Sequence, residues 1–211
     1  MDPSISESDY LKAVDTIRDA IAAGITYQAN LTFNLHAAFD GDPWALYVAL
    51  DNAQRAAYTA YLDMGQYVIC CASPELFFRR DGDRITSRPM KGTAPRGLTT
   101  AEDREQVEWL ANSEKNRAEN VMIVDMIRND FGRVATIGSV RVPELFTVER
   151  YPTLLQMTST VSAETDVGLP QLMEAVFPCA SITGAPKVRT MQLLRDLEPE
   201  PRGVYTGTIG L

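Results

Sequence analysis

The apolar residues change their spacing several times along the chain, and each change marks an element. In "SESDYLKAVDTIRDAIAAG" Tyr10, Val14, Ile17 and Ile21 recur at helical intervals. Ser6, with Asp9 three residues on, reads as the helix N-cap, and Gly24 as its C-terminal stop. "YQANLTFNLHAAF" then alternates, with Leu31, Phe33 and Leu35 on one face and Gln28, Asn30, Thr32, Asn34 and His36 on the other. That pattern predicts a strand whose polar face meets solvent or lines a polar cavity. "GDPWALYVAL" predicts a short helix capped by Asp42, with Pro43 in its first turn. Three strands follow in "AAYTAYLDM", "QYVICCA" and "ELFFRR", with Gly65 at the first turn. "RRDGDRI" signals a hairpin from which "RITSRPMKGT" returns, and Pro89, lacking a donor, belongs at a bulge or strand end.

From about residue 99 to 134 the pattern turns helical, with a break at Asn112 and Ser113 that supplies a cap for a second helix. In that helix Ala118, Met122, Ile123, Met126 and Ile127 form a wide apolar arc, which predicts that Glu119 and Asp125 lie near buried surface. A carboxylate there needs a cation or hydrogen-bond donors. Strands are expected in "RVPELFTVERY" and "LLQMTSTVSAE", and helices in "LPQLMEAVF" and "KVRTMQLLRDLE". The alternating "RGVYTGTIGL" reads as a further strand. There are no repeats. The class is α+β, with mostly antiparallel strands and helices packed around them.

Composition narrows the function. The 211 residues are 45% hydrophobic and 23% charged, enough for a sizeable core in one large domain or two small ones. A net charge of −8 argues against nucleic acid as a partner. It also requires that any anionic ligand be met locally by amides, lysines or a metal ion. Cys70, Cys71 and Cys179 make an odd set without metal-like spacing, so a reducing cytoplasm is expected. The first ten residues lack a leader pattern, and no apolar run is long enough to span a bilayer, so no membrane role is expected.

Three groups of residues could carry chemistry. Glu75 and Lys91 sit on the two arms of the Asp81-Gly82 hairpin. A two-residue turn would set Glu75 opposite Arg88 and turn Lys91 to the other side of the sheet. A three-residue turn centred on Gly82 sets Glu75 opposite Pro89, on the side of Lys91, about 7 Å away along the strand. A surface salt bridge is the plain alternative. "SITGAPKVRTM" places Ser181, Thr183 and Gly184 before a helix, where free amides can hold a carboxylate, although the spacing is not that of a phosphate loop. Glu119 and Glu198 could serve as ligands of a hard cation such as Mg²⁺, or stand simply as surface glutamates.

Taken together and in this order, "SPELF", "RPMKGTAPRG", "KNRAENVMIVDMIRND", "QMTSTVSAE", "PCASITGAPK" and "RGVYTGTIG" resemble the successive motifs of the chorismate-utilising enzymes. The resemblance runs from about Tyr10 to the end. The family includes anthranilate, aminodeoxychorismate, isochorismate and salicylate synthases. It implies a chorismate-binding catalytic domain over 1–211, built as an antiparallel β-sandwich flanked by helices and incomplete at both ends. Members continue through a strand with a substrate-binding arginine, and carry a long N-terminal half. Within the family, the position of Gln28 is glutamine in ammonia-using members, and that of Lys91 is lysine in aminodeoxychorismate synthases and alanine in anthranilate synthases. The pair selects the branch that makes 4-amino-4-deoxychorismate on the way to p-aminobenzoate and folate.

The resemblance also implies roles. The Lys91 amine attacks C2 of chorismate while the C4 hydroxyl leaves, and ammonia then attacks C4 and expels the lysine. Glu75 protonates the leaving hydroxyl, which asks for a raised pKa, and Lys91 must be neutral to attack. Gly92 lets the ring approach the backbone and Thr93 bonds the substrate. Glu119 and Glu198 hold Mg²⁺ on the ring carboxylate, and Thr183, Gly184, Tyr205 and Gly207 make further carboxylate contacts. Ammonia comes from a glutamine amidotransferase, and the wording of two motifs is similar to chains fused to an aminodeoxychorismate lyase. Ala180 stands where the family usually has a glycine, and Gln156 where its anthranilate synthase-like members have a histidine. The alternatives are an anthranilate synthase component, told apart by Lys91, and a partial chain that binds chorismate or a partner without turnover.

Overall fold

Eleven strands and six α-helices follow one another along residues 1–211 of the computed structural model. They are β1 (Asp2–Pro3), α1 (Glu7–Ala22), β2 (Gln28–Ala29), β3 (Leu35–His36), α2 (Pro43–Gln54), β4 (Tyr58–Asp63), β5 (Val68–Ser73) and β6 (Leu76–Asp81). Then come β7 (Arg84–Arg88), β8 (Met90–Pro95), α3 (Thr100–Asn112), α4 (Glu114–Gly132), β9 (Arg141–Arg150), β10 (Leu154–Glu164), α5 (Leu169–Val176), β11 (Gly184–Ala185) and α6 (Lys187–Leu197). All strand pairings are antiparallel, which gives the α+β class its expected form. No helix is long and apolar enough to cross a membrane. The elements divide into two compact units, residues 1–39 with 168–210, and residues 40–167 with Leu211.

In the first unit α1 begins as its cap dictates, the Ser6 hydroxyl accepting from the Asp9 amide at 3.1 Å. Its buried residues are Ala13, Ile17 and Ala20, while Tyr10 and Ile21 are exposed. The packed stripe therefore runs through small alanines, beside the larger side chains that the spacing picked out. The strand expected over 27–39 is broken into β2 and β3. Between them the backbone donors leave the ladder, Asn30 N bonding Thr183 O at 2.9 Å and Thr32 N the Glu198 carboxylate at 3.1 Å. The segment "RGVYTGTIGL" is not a strand either. Tyr205 N bonds Arg202 O and Gly207 N bonds Val204 O, so turns consume the donors that a ladder needs.

The second unit contains a five-stranded sheet and a separate hairpin, β4–β5, on which α2 packs. β7 and β8 lie end to end along one edge of β10, and β9 runs along the other. Pro89 joins β7 to β8, at the strand end where its missing donor does no harm, and its carbonyl accepts from Ser159 N at 3.2 Å. Helices α3 and α4 pack on β8 and β10, and Leu110, Ala94, Leu155 and Met157 form a buried cluster between them. Ser113 ends α3 and caps α4, the break that the sequence announces.

On α4 the buried stripe is Asn120, Ile123, Val124, Ile127 and Phe131, with Asp130 beside it. Asp125 is exposed and paired with Arg128 at 2.7 Å, and Glu119 is only half-buried, so the buried-carboxylate expectation for these two is corrected. The arc read from Ala118 to Ile127 was too wide, and the true stripe is led by a buried asparagine.

A cluster of charges pins the far end of β8. Asp103 on α3 accepts from Arg96 Nε at 2.6 Å and Nη2 at 3.2 Å, from the Gly97 amide at 3.2 Å and from Arg150 Nε at 3.2 Å. Arg96 also bonds the Tyr151 carbonyl at 2.7 Å, so β8, α3 and the β9–β10 turn meet at one carboxylate. The Arg96 hydrogen bonds, helped by the Gly97 amide and Arg150 and opposed by desolvation, hold the Asp103 carboxyl down to about 2. A carboxylate with a lowered folded pKa stabilises the fold above its unfolded value near 3.9, and loses that contribution as pH falls through the folded value. Asp103→Asn is therefore less stable than the parent in urea melts at neutral pH, and the gap closes between about pH 4 and pH 2. A gap independent of pH contradicts the assignment.

Candidate active site

Strand β8 carries one residue too many for its neighbour. Gln156 pairs with Thr93 and Thr158 with Met90, so Lys91 and Gly92 together face the single residue Met157. This two-against-one mismatch is a β-bulge, the usual way of re-aiming a side chain within a sheet. Gly92 has φ +96, and a Cβ added there would lie 3.0 Å from the Asn116 Cβ on α4. The turn of the backbone calls for glycine at this position, and the closeness of the helix leaves little room for a side chain.

Glu75 arrives beside the bulge by a route that neither hairpin reading contains. The turn is the two-residue Gly82-Asp83, with Asp81 opposite Arg84. The extra residue lies instead at Phe77 and Phe78, and from there Leu76 faces Arg88. That register sets Glu75 across from Pro89, as the longer turn would have done. Its Oε1 accepts from the Met90 amide at 3.3 Å, so the carboxylate sits against the residue preceding Lys91. Thr93 donates to Gln156 Oε1 at 2.9 Å across the β8–β10 ladder. Glu119 is on the adjoining helix, its carboxylate 3.9 Å from Lys115 Nζ and open to solvent. The second unit thus gathers Glu75, Lys91, Gly92 and Thr93 around one irregularity, with Glu119 on the helix that packs against it.

The first unit gathers another group. Gln28 on β2 pairs with Ala185, and Gly184 pairs with Ala29. A Cβ at Gly184 would come within 2.2 Å of the Gln28 carbonyl oxygen, so glycine is what lets the two segments touch. The Thr26 and Thr190 hydroxyls, 2.7 Å apart, tie the same segment to α6. Gln28 Oε1 is buried and has no hydrogen-bond partner. A buried acceptor left so costs about 1–3 kcal/mol, and a ligand donor would relieve it. Thr183 is less open than an anion cradle needs, since its amide donates to Ala180 O and its hydroxyl to Cys179 O. Gly207 also spends its amide, on Val204 O, and Tyr205 stands exposed on the same turn.

Glu198 has a different occupation from the one expected. Its Oε1 accepts from Arg202 Nη2 at 2.6 Å, from Arg202 Nε at 3.2 Å and from the Thr32 amide and hydroxyl at 3.1 and 3.2 Å. Its Oε2 accepts from Arg202 Nε at 3.0 Å. Arg202 in turn holds the Ile182 carbonyl at 2.6 Å and the Asn30 carbonyl at 2.7 Å. A carboxylate so fully engaged by an arginine offers a cation little, whereas Glu119 offers an open oxygen. Of the two expected Mg²⁺ ligands, Glu119 fits and Glu198 does not. Arg202 was missed in the sequence, where its spacing of four from Glu198 was the available signal.

Residues 1–211 match the chorismate binding enzyme family. Component 1 of aminodeoxychorismate synthase from Escherichia coli K12 is 44% identical over 209 residues, which are 98% of this chain and 46% of that protein. Component 1 of anthranilate synthase from Thermus thermophilus is 42% identical over 97% of this chain and 45% of its own length. In the crystal structure of anthranilate synthase component I from Streptococcus pneumoniae, 46% of the chain superposes on 99% of this one with a TM-score of 0.90 and 32% identity. The chain spans just under half the length of these relatives.

Gly92→Ala should lower stability by about 1–3 kcal/mol in urea unfolding, through the strained backbone and the contact with Asn116. Gly132→Ala, with nothing within 4 Å of the added Cβ, should be neutral or raise stability by up to about 1 kcal/mol. Equal effects at the two positions contradict the bulge geometry.

Proposed function

Because the chain belongs to the chorismate binding enzyme family, we propose that it is the chorismate-converting part of an aminodeoxychorismate synthase, with Lys91 as nucleophile and Glu75 as general acid. The observation that carries this reading is the bulge at Lys91 and Gly92, with the Glu75 carboxylate 3.3 Å from the Met90 amide. Identity alone does not choose between the amino-transferring branches, since 44% and 42% are close. The lysine does.

The chemistry follows from the two side chains. The neutral Lys91 amine bonds to C2 of chorismate, the diene electrons shift toward C4, and the C4–O bond breaks. Glu75 gives its proton to the departing hydroxyl, which leaves as water. Ammonia then bonds to C4, the electrons return, the C2–Nζ bond breaks to release neutral Lys91, and the surplus proton on the new C4 ammonium returns to Glu75. Splitting the exchange in two replaces a poor displacement with two easier ones. Thr93, held by Gln156, and Gly92 are proposed substrate contacts, as are Gln28, Thr183, Gly184, Tyr205 and Gly207 of the first unit. The unpartnered Gln28 oxygen suits a donor such as ammonia. Mg²⁺ bound through Glu119 would neutralise a substrate carboxylate. The ammonia would come from a glutamine amidotransferase, in keeping with the "component 1" name of the Escherichia coli relative.

With chorismate, Mg²⁺ and ammonium, the chain should form 4-amino-4-deoxychorismate, and Lys91→Ala should form none. Glu75→Gln should slow turnover by about 10²–10⁴-fold, the usual worth of a positioned acid. Anthranilate from both the parent and Lys91→Ala would overturn the assignment.

A further inference from the structure

Accepting Lys91 as the nucleophile, we propose that Asn120 is a positioning residue for it, acting with Ser159 through the backbone of the bulge. Asn120 is fully buried on α4, at the head of the helix's packed stripe. Its Nδ2 reaches the Lys91 carbonyl at 3.3 Å and the Met157 carbonyl at 3.5 Å. Those are the carbonyls of the two strands at the point where Lys91 and Gly92 face Met157. One amide group therefore spans the mismatch, where the ladder itself falls out of step. On its other side, Asn120 Oδ1 accepts from the Ser159 hydroxyl at 2.6 Å. This bond fixes the amide's orientation: with the oxygen turned to Ser159, the nitrogen must face the bulge.

The chain of bonds extends to a second irregularity. Thr158 pairs with Thr147 and Thr160 with Glu144, so Leu145 and Phe146 face the single residue Ser159. Phe146 has φ 60, a conformation that a bulky side chain adopts only when its surroundings impose it. Its amide donates to the Ser159 hydroxyl at 3.1 Å, and Arg117, one turn before Asn120, lies 4.7 Å over its ring. Two bulges on opposite edges of β10 are thus joined by Phe146 N–H, Ser159 Oγ, Asn120 and Lys91 C=O, with α4 gripping both ends. A buried polar chain in which each member fixes the next is a rigid support for a reacting group. A leucine at position 120 would pack the stripe and hold nothing.

The test compares the parent chain with Asn120→Ala, Asn120→Asp, Ser159→Ala and Leu155→Ala. Leu155 is fully buried beside the network without belonging to it, so its variant shows the effect of lost packing alone. Acetylation by acetic anhydride is followed across pH by peptide mass spectrometry, and the Lys91 rate is divided by that of the exposed Lys12. Urea melts report how much of each variant is folded. In Asn120→Ala and Asn120→Asp the ratio should move by about threefold or more with the fold intact. It should move in the same direction in Ser159→Ala, and stay at the parent value in Leu155→Ala. Turnover of chorismate with ammonium should fall about 10–100-fold in kcat, with KM nearly unchanged. Asn120→Asp, nearly isosteric, covers the case in which the alanine variant fails to fold. A folded Asn120 variant with the parent's ratio overturns the proposal, as does an equal shift in Leu155→Ala. Failure of the nucleophile reading shows separately, as turnover that persists in Lys91→Ala, and the acetylation ratio still decides the role of Asn120.

Discussion

A strand bonded along both edges leaves its neighbours little freedom, and β10 is bonded to β7 and β8 on one side and β9 on the other. A neighbour can turn a side chain out of the regular ladder only by inserting a residue, and both do so close to Met157 and Ser159. The insertion on one side contains Lys91 and Gly92. The insertion on the other contains Phe146 in a left-handed conformation. The position of the proposed nucleophile is thus set by an error of register that the rest of the second unit is built to hold. Asp103 and its arginines clamp the end of β8, and Asn120 spans the mismatch itself. Gly92 suits the bulge because its φ of +96 strains any other residue and an added Cβ would press on Asn116 of α4.

Much of this was legible in the sequence because it rests on local chemistry. Ser6, Asp42 and Ser113 cap helices where the hydroxyl and carboxylate positions say they should, and each requires only neighbouring amides. Pro89 ends β7 for want of a donor. The motif order pointed to the family, and Glu75 could be placed near Lys91 in one of two registers. What failed depended on partners distant in sequence. The strand over 27–39 breaks because Glu198 and Thr183 take its donors, and alternation within the strand carries no trace of them. The Glu75 register was reached through a bulge at Phe77 and Phe78 that no turn residue announces. Asn120 sat unnoticed in the middle of an apolar arc, where a single polar residue looks like an interruption of the pattern.

The acidic balance of the chain set a demand for local reversal of charge, and the structure answers it unevenly. Glu198, one of the carboxylates expected to recruit a cation, is neutralised by Arg202, which also anchors the carbonyls of Ile182 and Asn30. Its work is to shape the segment after Gln28. Glu119 remains open, on the same turn of α4 as Asn120. One helix therefore presents a carboxylate from one residue and a buried amide from the next, which places the expected metal ligand and the proposed support of the proposed nucleophile on a single element.

The claim that Lys91 is the nucleophile is tested most directly by withholding ammonia. Incubation with chorismate and Mg²⁺ alone should stop the reaction at the covalent stage, and rapid quenching followed by peptide mapping should find Lys91 carrying the mass of chorismate less water. Addition of ammonium should clear the adduct and release 4-amino-4-deoxychorismate. Formation of that product without any adduct on Lys91, or with the adduct on another residue, would contradict the account.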